Sequence, residues 1–219
     1  MKQSDTDYLL IREMMPEQRW SEMAIDWSLV LVVCFIIVIF PLIIVLSLRQ
    51  YRTMKNLMEQ QAMKRGGTVT GSYLLPVLKF PYRNLSIVVT SVPGSKYRQA
   101  KTEASMSLQK PASANLIIVK ESVGTRLGKA LGATDVQIGN DEFDREFLIK
   151  TQEETFARNV LNVTLQQKLL EMKQQKPRIC LEGTWLAVQV PRVIKTEEEY
   201  DQLFDLAFAI VDRIQEPTF

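Results

Sequence analysis

The sequence predicts an α+β domain carried behind a single membrane-spanning helix. Three observations lead there. Leu29 to Leu48 reads LVLVVCFIIVIFPLIIVLSL, without one charged side chain. From Thr68 to Lys120 the pattern turns to short β-branched runs, and from Thr151 onward helical periods alternate with a strand hairpin. A run of strands followed by helices and a hairpin is the order of an α+β fold with a largely antiparallel sheet.

The apolar run sets the topology. A helix of that length rises about 30 Å, the thickness of a bilayer's hydrocarbon core. It begins too far from the N-terminus, behind too acidic a tail, for a secretory signal. Residues 1–26 read as a short extracytoplasmic tail with an interfacial helix around Trp20, Met23, Ala24 and Trp27, and 27–48 as the span. Arg49, Arg52, Lys55, Lys64 and Arg65 follow the run closely, whereas only Lys2, Arg12 and Arg19 precede it. The positive-inside rule then puts the C-terminal domain in the cytoplasm and the tail outside an inner membrane.

Helical spacing continues through Leu48, Tyr51, Met54, Lys55, Met58 and Ala62 until Gly66-Gly67 stops it. Residues 49–65 therefore form a stalk. It offers a coiled-coil seam between two protomers, and so a homo-oligomer, or an amphipathic extension packed on its own domain or on lipid. The pattern covers barely two heptads, which favours the extension.

The domain, 66–219, opens with strands at Thr68–Thr70, Tyr73–Phe80, Leu85–Val92, Tyr97–Leu108 and Leu116–Lys120. Pro76 and Pro81 mark an edge or a bulge. Gly124, Gly128 and Gly132 do not make a phosphate loop, because three residues separate them and Ala130 follows Lys129. A small helix packed on the sheet is the better reading of 122–133. In Gly139 to Lys150, Phe143, Phe147 and Ile149 share a parity in an extended chain and enter one core face. Thr151 with Glu154 forms a capping box opening a helix, and Asn162 caps the next. Pro177 ends that helical insertion. Arg178–Leu181 and Trp185–Val190 are a hairpin about Glu182-Gly183-Thr184. Thr196 with Glu199 caps a last helix carrying Tyr200, Leu203, Phe204, Ala207, Ile210, Val211 and Ile214 on one face.

Composition excludes more chemistry than it suggests. There is no histidine, so no Ser-His-Asp or Cys-His arrangement and no His-based zinc site can form within the chain. The two cysteines, Cys34 and Cys180, make no disulfide framework. No cofactor and no catalytic residue is implied. Charge is divided sharply: residues 49–131 carry fourteen bases against three acids, net +11, and residues 132–219 ten bases against sixteen acids, net −6. The basic half, with Arg49, Arg52, Lys55, Lys96, Arg98 and Lys101 foremost, would face anionic lipid, or its bases are scattered over both sheet faces. No aromatic-basic motif speaks for nucleic acid. The densest acidic cluster, Asp141, Glu142, Asp144 and Glu146, would make a cation or carboxylate site only with a second cluster to complete the shell, and none is evident. A solvated strand face is preferred.

The stretch Gly139, Asn140, Asp141, Glu142, Phe143, Asp144, Arg145, Glu146, Phe147 is similar to a motif, G-[ND]-D-x-F-[DE]-[RK]-x-F, of a family of bacterial membrane-anchored proteins of unknown function. The resemblance covers roughly residues 66–214, with Gly139, Asp141, Phe143, Asp144 and Phe147 its specific positions. It implies a bacterial membrane protein and lends no activity. A looser likeness, strands closed by an amphipathic C-terminal helix, is to pleckstrin-homology-like domains, from which the insertion at 151–175 departs. The preferred expectation is a membrane-anchored interaction or assembly protein without enzymatic activity, docking a membrane or cytoplasmic protein. The alternatives are an anionic-lipid sensor and, last, a carboxylate-based enzyme.

Overall fold

The computed structural model describes residues 27–72, 75–121 and 134–215. The expected interfacial helix before Trp27 and the small helix at 122–133 lie outside the described residues. The chain divides into two units, 1–49 and 50–219.

Helix α1 (Trp27–Arg65) runs through Pro41 without interruption. Its first part presents Leu31, Phe35, Ile36, Phe40, Ile43 and Leu46 outward, all exposed. By length and composition it is long and apolar enough to cross a membrane. The turns after Arg49 behave differently. Met54, Met58, Gln61 and Ala62 are buried, and Met58 and Ala62 belong to the main core. Residues 50–65 thus belong with the domain, and the apolar face of this part of the helix is covered by it, in line with the extension favoured over a coiled-coil seam. Met54, Met58 and Ala62 are not available as a seam between protomers. Gly66 stops the helix at φ +64, and the Gly67 N–H reaches the Ala62 carbonyl at 2.8 Å. That is the bond pattern of a glycine-terminated helix.

The sheet has strands β1 (Thr68–Ser72), β2 (Leu75–Tyr82), β3 (Leu85–Val92), β4 (Lys101–Ser107), β5 (Leu116–Lys120), β6 (Thr134–Val136), β7 (Phe147–Thr151), β8 (Arg178–Glu182) and β9 (Trp185–Val190). Their order is β1-β2-β3-β4-β9-β8-β5-β7-β6, every pair antiparallel. The β8–β9 hairpin, late in the chain, fills the middle between an N-terminal meander and the β5-β7-β6 set. Pro76 and Pro81 sit inside β2, which has neighbours on both sides. Pro76 is paired only with β1 and Pro81 only with β3, so each missing N–H falls where no ladder runs.

Helices α2 (Asp141–Glu146), α3 (Glu154–Val160), α4 (Val163–Glu171) and α5 (Glu197–Gln215) complete the described domain, with a 3₁₀ turn at Lys173–Gln175. Alternate residues of each strand, among them Leu78, Phe80, Ile87, Val89, Met106, Val188, Ile179 and Ile118, share a core with Tyr200, Leu203, Phe204, Ala207, Ile210 and Val211 of α5. Those α5 residues are the face read from the sequence.

Three readings of local structure are corrected. Asp141–Glu146 is a helix and not an extended strand: Asn140 caps it by accepting the Phe143 N–H at 3.3 Å. Phe143 and Phe147 still enter one core, but because a one-turn spacing stacks their rings 4.9 Å apart. Thr151 does not cap α3. Pairing with Leu116 holds it in the sheet, and its hydroxyl accepts the Glu153 N–H instead. The strand expected from Tyr97 begins only at Lys101. Asn162 caps α4, taking the Leu165 N–H at 2.9 Å.

Candidate functional site

Antiparallel pairing decides which connections share an end of the sheet. The β3–β4 connection, the β9–α5 connection and the first residue of β8 lie at one end, with α2. The Arg83-Asn84 turn, the β4–β5 connection and the β8–β9 turn lie at the other. Two sequence features singled out for chemistry, the acidic motif and the basic tripeptide about Tyr97, therefore fall on the same end.

The motif carboxylates are engaged by the protein itself. Asp144 accepts the Ile138 and Gly139 N–H groups at 3.1 and 3.0 Å, closing a loop whose Gly139 sits at φ +86. Arg158 clamps the same loop by donating to the Ile138 and Gln137 carbonyls, while also pairing with Glu154. Glu146 pairs with Lys120 at 3.4 Å, and Glu142 with Lys173 at 3.2 Å. Asp141 is exposed at the start of α2, where the positive end of a helix favours an acid. Among the described residues no group of three His, Cys, Asp or Glu side chains is placed to hold a metal ion.

The basic tip is built differently. Pro93-Gly94 leads out of β3, and Ser95 and Arg98 then bridge each other, Ser95 N–H to Arg98 carbonyl at 2.7 Å and the reverse at 3.2 Å. This miniature hairpin puts Lys96 and Tyr97 at its apex. Tyr97 is 89% exposed, and the Lys96 ammonium lies 5.6 Å from its ring centroid. Behind the tip, Pro93, Gly94 and Ala100 line a shallow groove of about 310 Å³ with Arg192, Val193 and Lys195 of the β9–α5 connection. Lys101 pairs with Glu103 at 2.8 Å and Arg192 with Glu199 at 2.8 Å. The sequence singled out Lys96, Arg98 and Lys101, and the structure brings those three together. Arg52 and Lys55 lie on α1, where Lys55 pairs with Glu59, and Arg49 lies on α1 before the domain.

Tyr97, Arg192 and Lys195 were not read as site residues. The signal for Tyr97 was present, an aromatic between two bases directly after Pro-Gly-Ser. Nothing local signals Arg192 and Lys195. They arrive because Thr102 pairs with Val190 across β4 and β9.

A buried polar chain fixes this end of the sheet. Thr102 donates to the Arg192 carbonyl at 2.9 Å and accepts the Ile194 N–H at 3.1 Å. Its hydroxyl meets Ser91 at 2.9 Å, and Ser91 meets the Tyr200 hydroxyl at 3.1 Å. Burial pushes the Tyr200 phenol up to about 12, so it stays a neutral structural group. Burial also pushes the Cys180 thiol up, away from thiolate reactivity.

The end of α1 is held by charge as well as packing. Arg65 donates to Asp201 at 2.6 Å and to Gln61, and its guanidinium lies 4.7 Å from the Phe204 ring centroid. Lys64 pairs with Glu197 and Asp201.

No protein-family model and no curated protein matches the sequence. Among solved structures the chain is similar to the mycobacterial trehalose monomycolate transport factor A, TtfA, with a TM-score of 0.53 at 11% identity, over 75% of this chain and 94% of that one. At that identity the likeness is one of fold: an α+β arrangement shared with TtfA.

Proposed function

We propose that this chain is a membrane-anchored interaction protein that docks a protein partner at the membrane surface and catalyses no reaction. One observation carries the reading. The helix that carries the apolar run continues past it, and its later turns supply Met58 and Ala62 to the core of the folded domain. Two others support it. The carboxylates Asp144, Glu142 and Glu146 are used up in holding the chain. The fold is similar to that of TtfA, a mycobacterial transport factor. The cluster of bases from Arg49 to Arg65 favours a single-pass inner-membrane protein with its domain in the cytoplasm. The motif likeness favours a bacterial source.

Two measurements test this. With Cys34 and Cys180 replaced by Ser, a cysteine at Gln3 labels with an impermeant thiol reagent in intact cells and one at Glu216 does not; the reverse pattern overturns the orientation. A photoreactive residue at Ser86 or Ser107, both exposed, then gives a discrete protein adduct in native membranes. Purified full-length protein that turns over a substrate in a metal-dependent way, with no adduct from any exposed position, overturns the docking reading.

A further inference from the structure

We propose that the β3–β4 tip, together with the β9–α5 connection, is a contact surface for anionic phospholipid headgroups. The proposal rests on the membrane-anchored reading above and names a chemistry for one surface of the domain.

The tip carries the chemistry a headgroup layer takes up. Tyr97 is the most exposed large hydrophobic side chain among the described residues of the domain, at 89%. A tyrosine ring has an apolar body and a polar end, and that combination favours the headgroup level of a bilayer. Lys96 and Arg98 flank it, both exposed and neither ion-paired among the described residues. Lysine and arginine reach around an inserted ring with flexible stems and keep their charges among phosphates. The turn is set in advance: the Ser95–Arg98 bridge orders the backbone before any contact, so binding orders little chain.

The surface behind the tip extends the same chemistry. Lys101, Arg192 and Lys195 with Glu103 and the first-turn acids Glu197, Glu198 and Glu199 leave five bases to four acids counting the tip, and Glu197 is itself paired with Lys64. The open groove of about 310 Å³ against Arg192 and Lys195 gives room for one headgroup beside the tip. The Thr102 chain of hydrogen bonds holds the β9–α5 connection against β4, so these bases move with the tip as one surface.

An acidic protein is the competing occupant. It would need roughly 800 Å² of matched surface per partner. A four-residue turn with one ring at its apex does not supply that, whereas a bilayer makes no demand for a flat complementary face. A domain joined to a membrane helix also meets headgroups at high effective concentration, so each contact can be weak.

The test uses the full chain in lipid nanodiscs. Cys34 and Cys180 are replaced by Ser, and Gln99→Cys carries a bimane label beside the tip. Nitroxide-headgroup lipid is placed either in the disc or in added vesicles, each neutral or containing phosphatidylglycerol. Coelution of protein with the disc reports the anchor; failure there sinks the anchored reading itself. With the anchor incorporated, the proposal expects quenching when phosphatidylglycerol is present, little in neutral lipid, and release at molar salt. Lys96→Gln with Arg98→Gln and Lys101→Gln should weaken partition about 100-fold, at roughly a fivefold loss per base removed. Tyr97→Ala should weaken it with the bases intact. Lys79→Gln with Lys110→Gln and Lys168→Gln, an equal loss of charge elsewhere, should leave it within about twofold of the parent. The proposal is overturned by incorporation without quenching in either arm, which leaves an acidic protein as the occupant of the tip. Equal quenching in neutral and anionic lipid, or equal loss from both triple substitutions, overturns it too.

Discussion

The acidic motif around Asp144 and the basic tip around Tyr97 are both dense in charge, and they sit at the same end of one sheet. They differ in where their polar groups point. Asp144 takes two backbone N–H groups, Glu142 and Glu146 take Lys173 and Lys120, and Phe143 and Phe147 fill the core beneath them. The tip spends its backbone bonds and the Ser95 hydroxyl on itself and leaves Lys96, Tyr97 and Arg98 in solvent. A dense run of charged residues is therefore no guide to function until its partners are counted. The motif holds the fold, and the tip is free to bind something else.

If that division is right, the largest effect on stability belongs to the motif's aromatic pair. Phe143→Ala should lower unfolding free energy by about 3–5 kcal/mol, through lost burial and the cavity left beside Phe147. Denaturant unfolding of the full chain in detergent reads it, and a loss below about 1 kcal/mol would break the comparison on the structural side.

Next comes the buried chain that carries the tip. Tyr200 has its folded pKa raised from 10.0 to about 12. A raised pKa means the neutral phenol is favoured in the folded state, so its contribution is complete below pH 10 and is lost as pH rises through about 12. The gap corresponds to roughly 3 kcal/mol at about 1.4 kcal/mol per pK step. Tyr200→Phe should flatten that alkaline loss. An unchanged alkaline profile would remove Tyr200 as its source.

Asp144→Ala should cost about 1–3 kcal/mol by stranding the Ile138 and Gly139 N–H groups, nearer the lower figure because Gly139 is exposed and can turn to water. The α1 latch gives a smaller change. Burial alone would raise the Asp201 carboxyl, but the Arg65 hydrogen bond and the charges of Arg65 and Lys64 outweigh it and hold the pKa below the ordinary 3.8. A depressed folded pKa stabilises above the unfolded value and is lost as pH falls through the folded one. Asp201→Asn should thus cost about 1 kcal/mol or less at neutral pH and reduce the acid sensitivity of unfolding. Smallest of all, Lys96→Gln with Arg98→Gln should leave stability within about 0.5 kcal/mol of the parent.

What could be read beforehand follows from how far each interaction reaches along the chain. The apolar helix α1, the α5 face, the Asn162 cap and the β2 and β3 strands are local patterns, and residue spacing announces them. The six-residue helix α2 was read as strand because one turn is too short to show a helical period, and Phe143 and Phe147 satisfy either spacing. The covering of Met54, Met58 and Ala62 by their own domain depends on elements far along the chain, so the sequence left two readings of 49–65 open. The central place of β8–β9 is equally non-local. The binding end shows both cases at once: Lys96 and Arg98 were visible as adjacent charges, while Arg192 joins them through Thr102, 90 residues away.

The separation of roles is tested most directly by exchanging assays between the two regions. Asp144→Ala and the pair Lys96→Gln with Arg98→Gln are each measured twice in the full chain, for unfolding free energy in detergent and for partition of the tip onto anionic lipid in discs. Asp144→Ala should lose stability yet keep lipid contact below its unfolding midpoint. The tip pair should keep stability and lose lipid contact by more than about tenfold. A tip pair that loses stability while retaining contact, with Asp144→Ala doing the reverse, would contradict the division and make the motif the functional site.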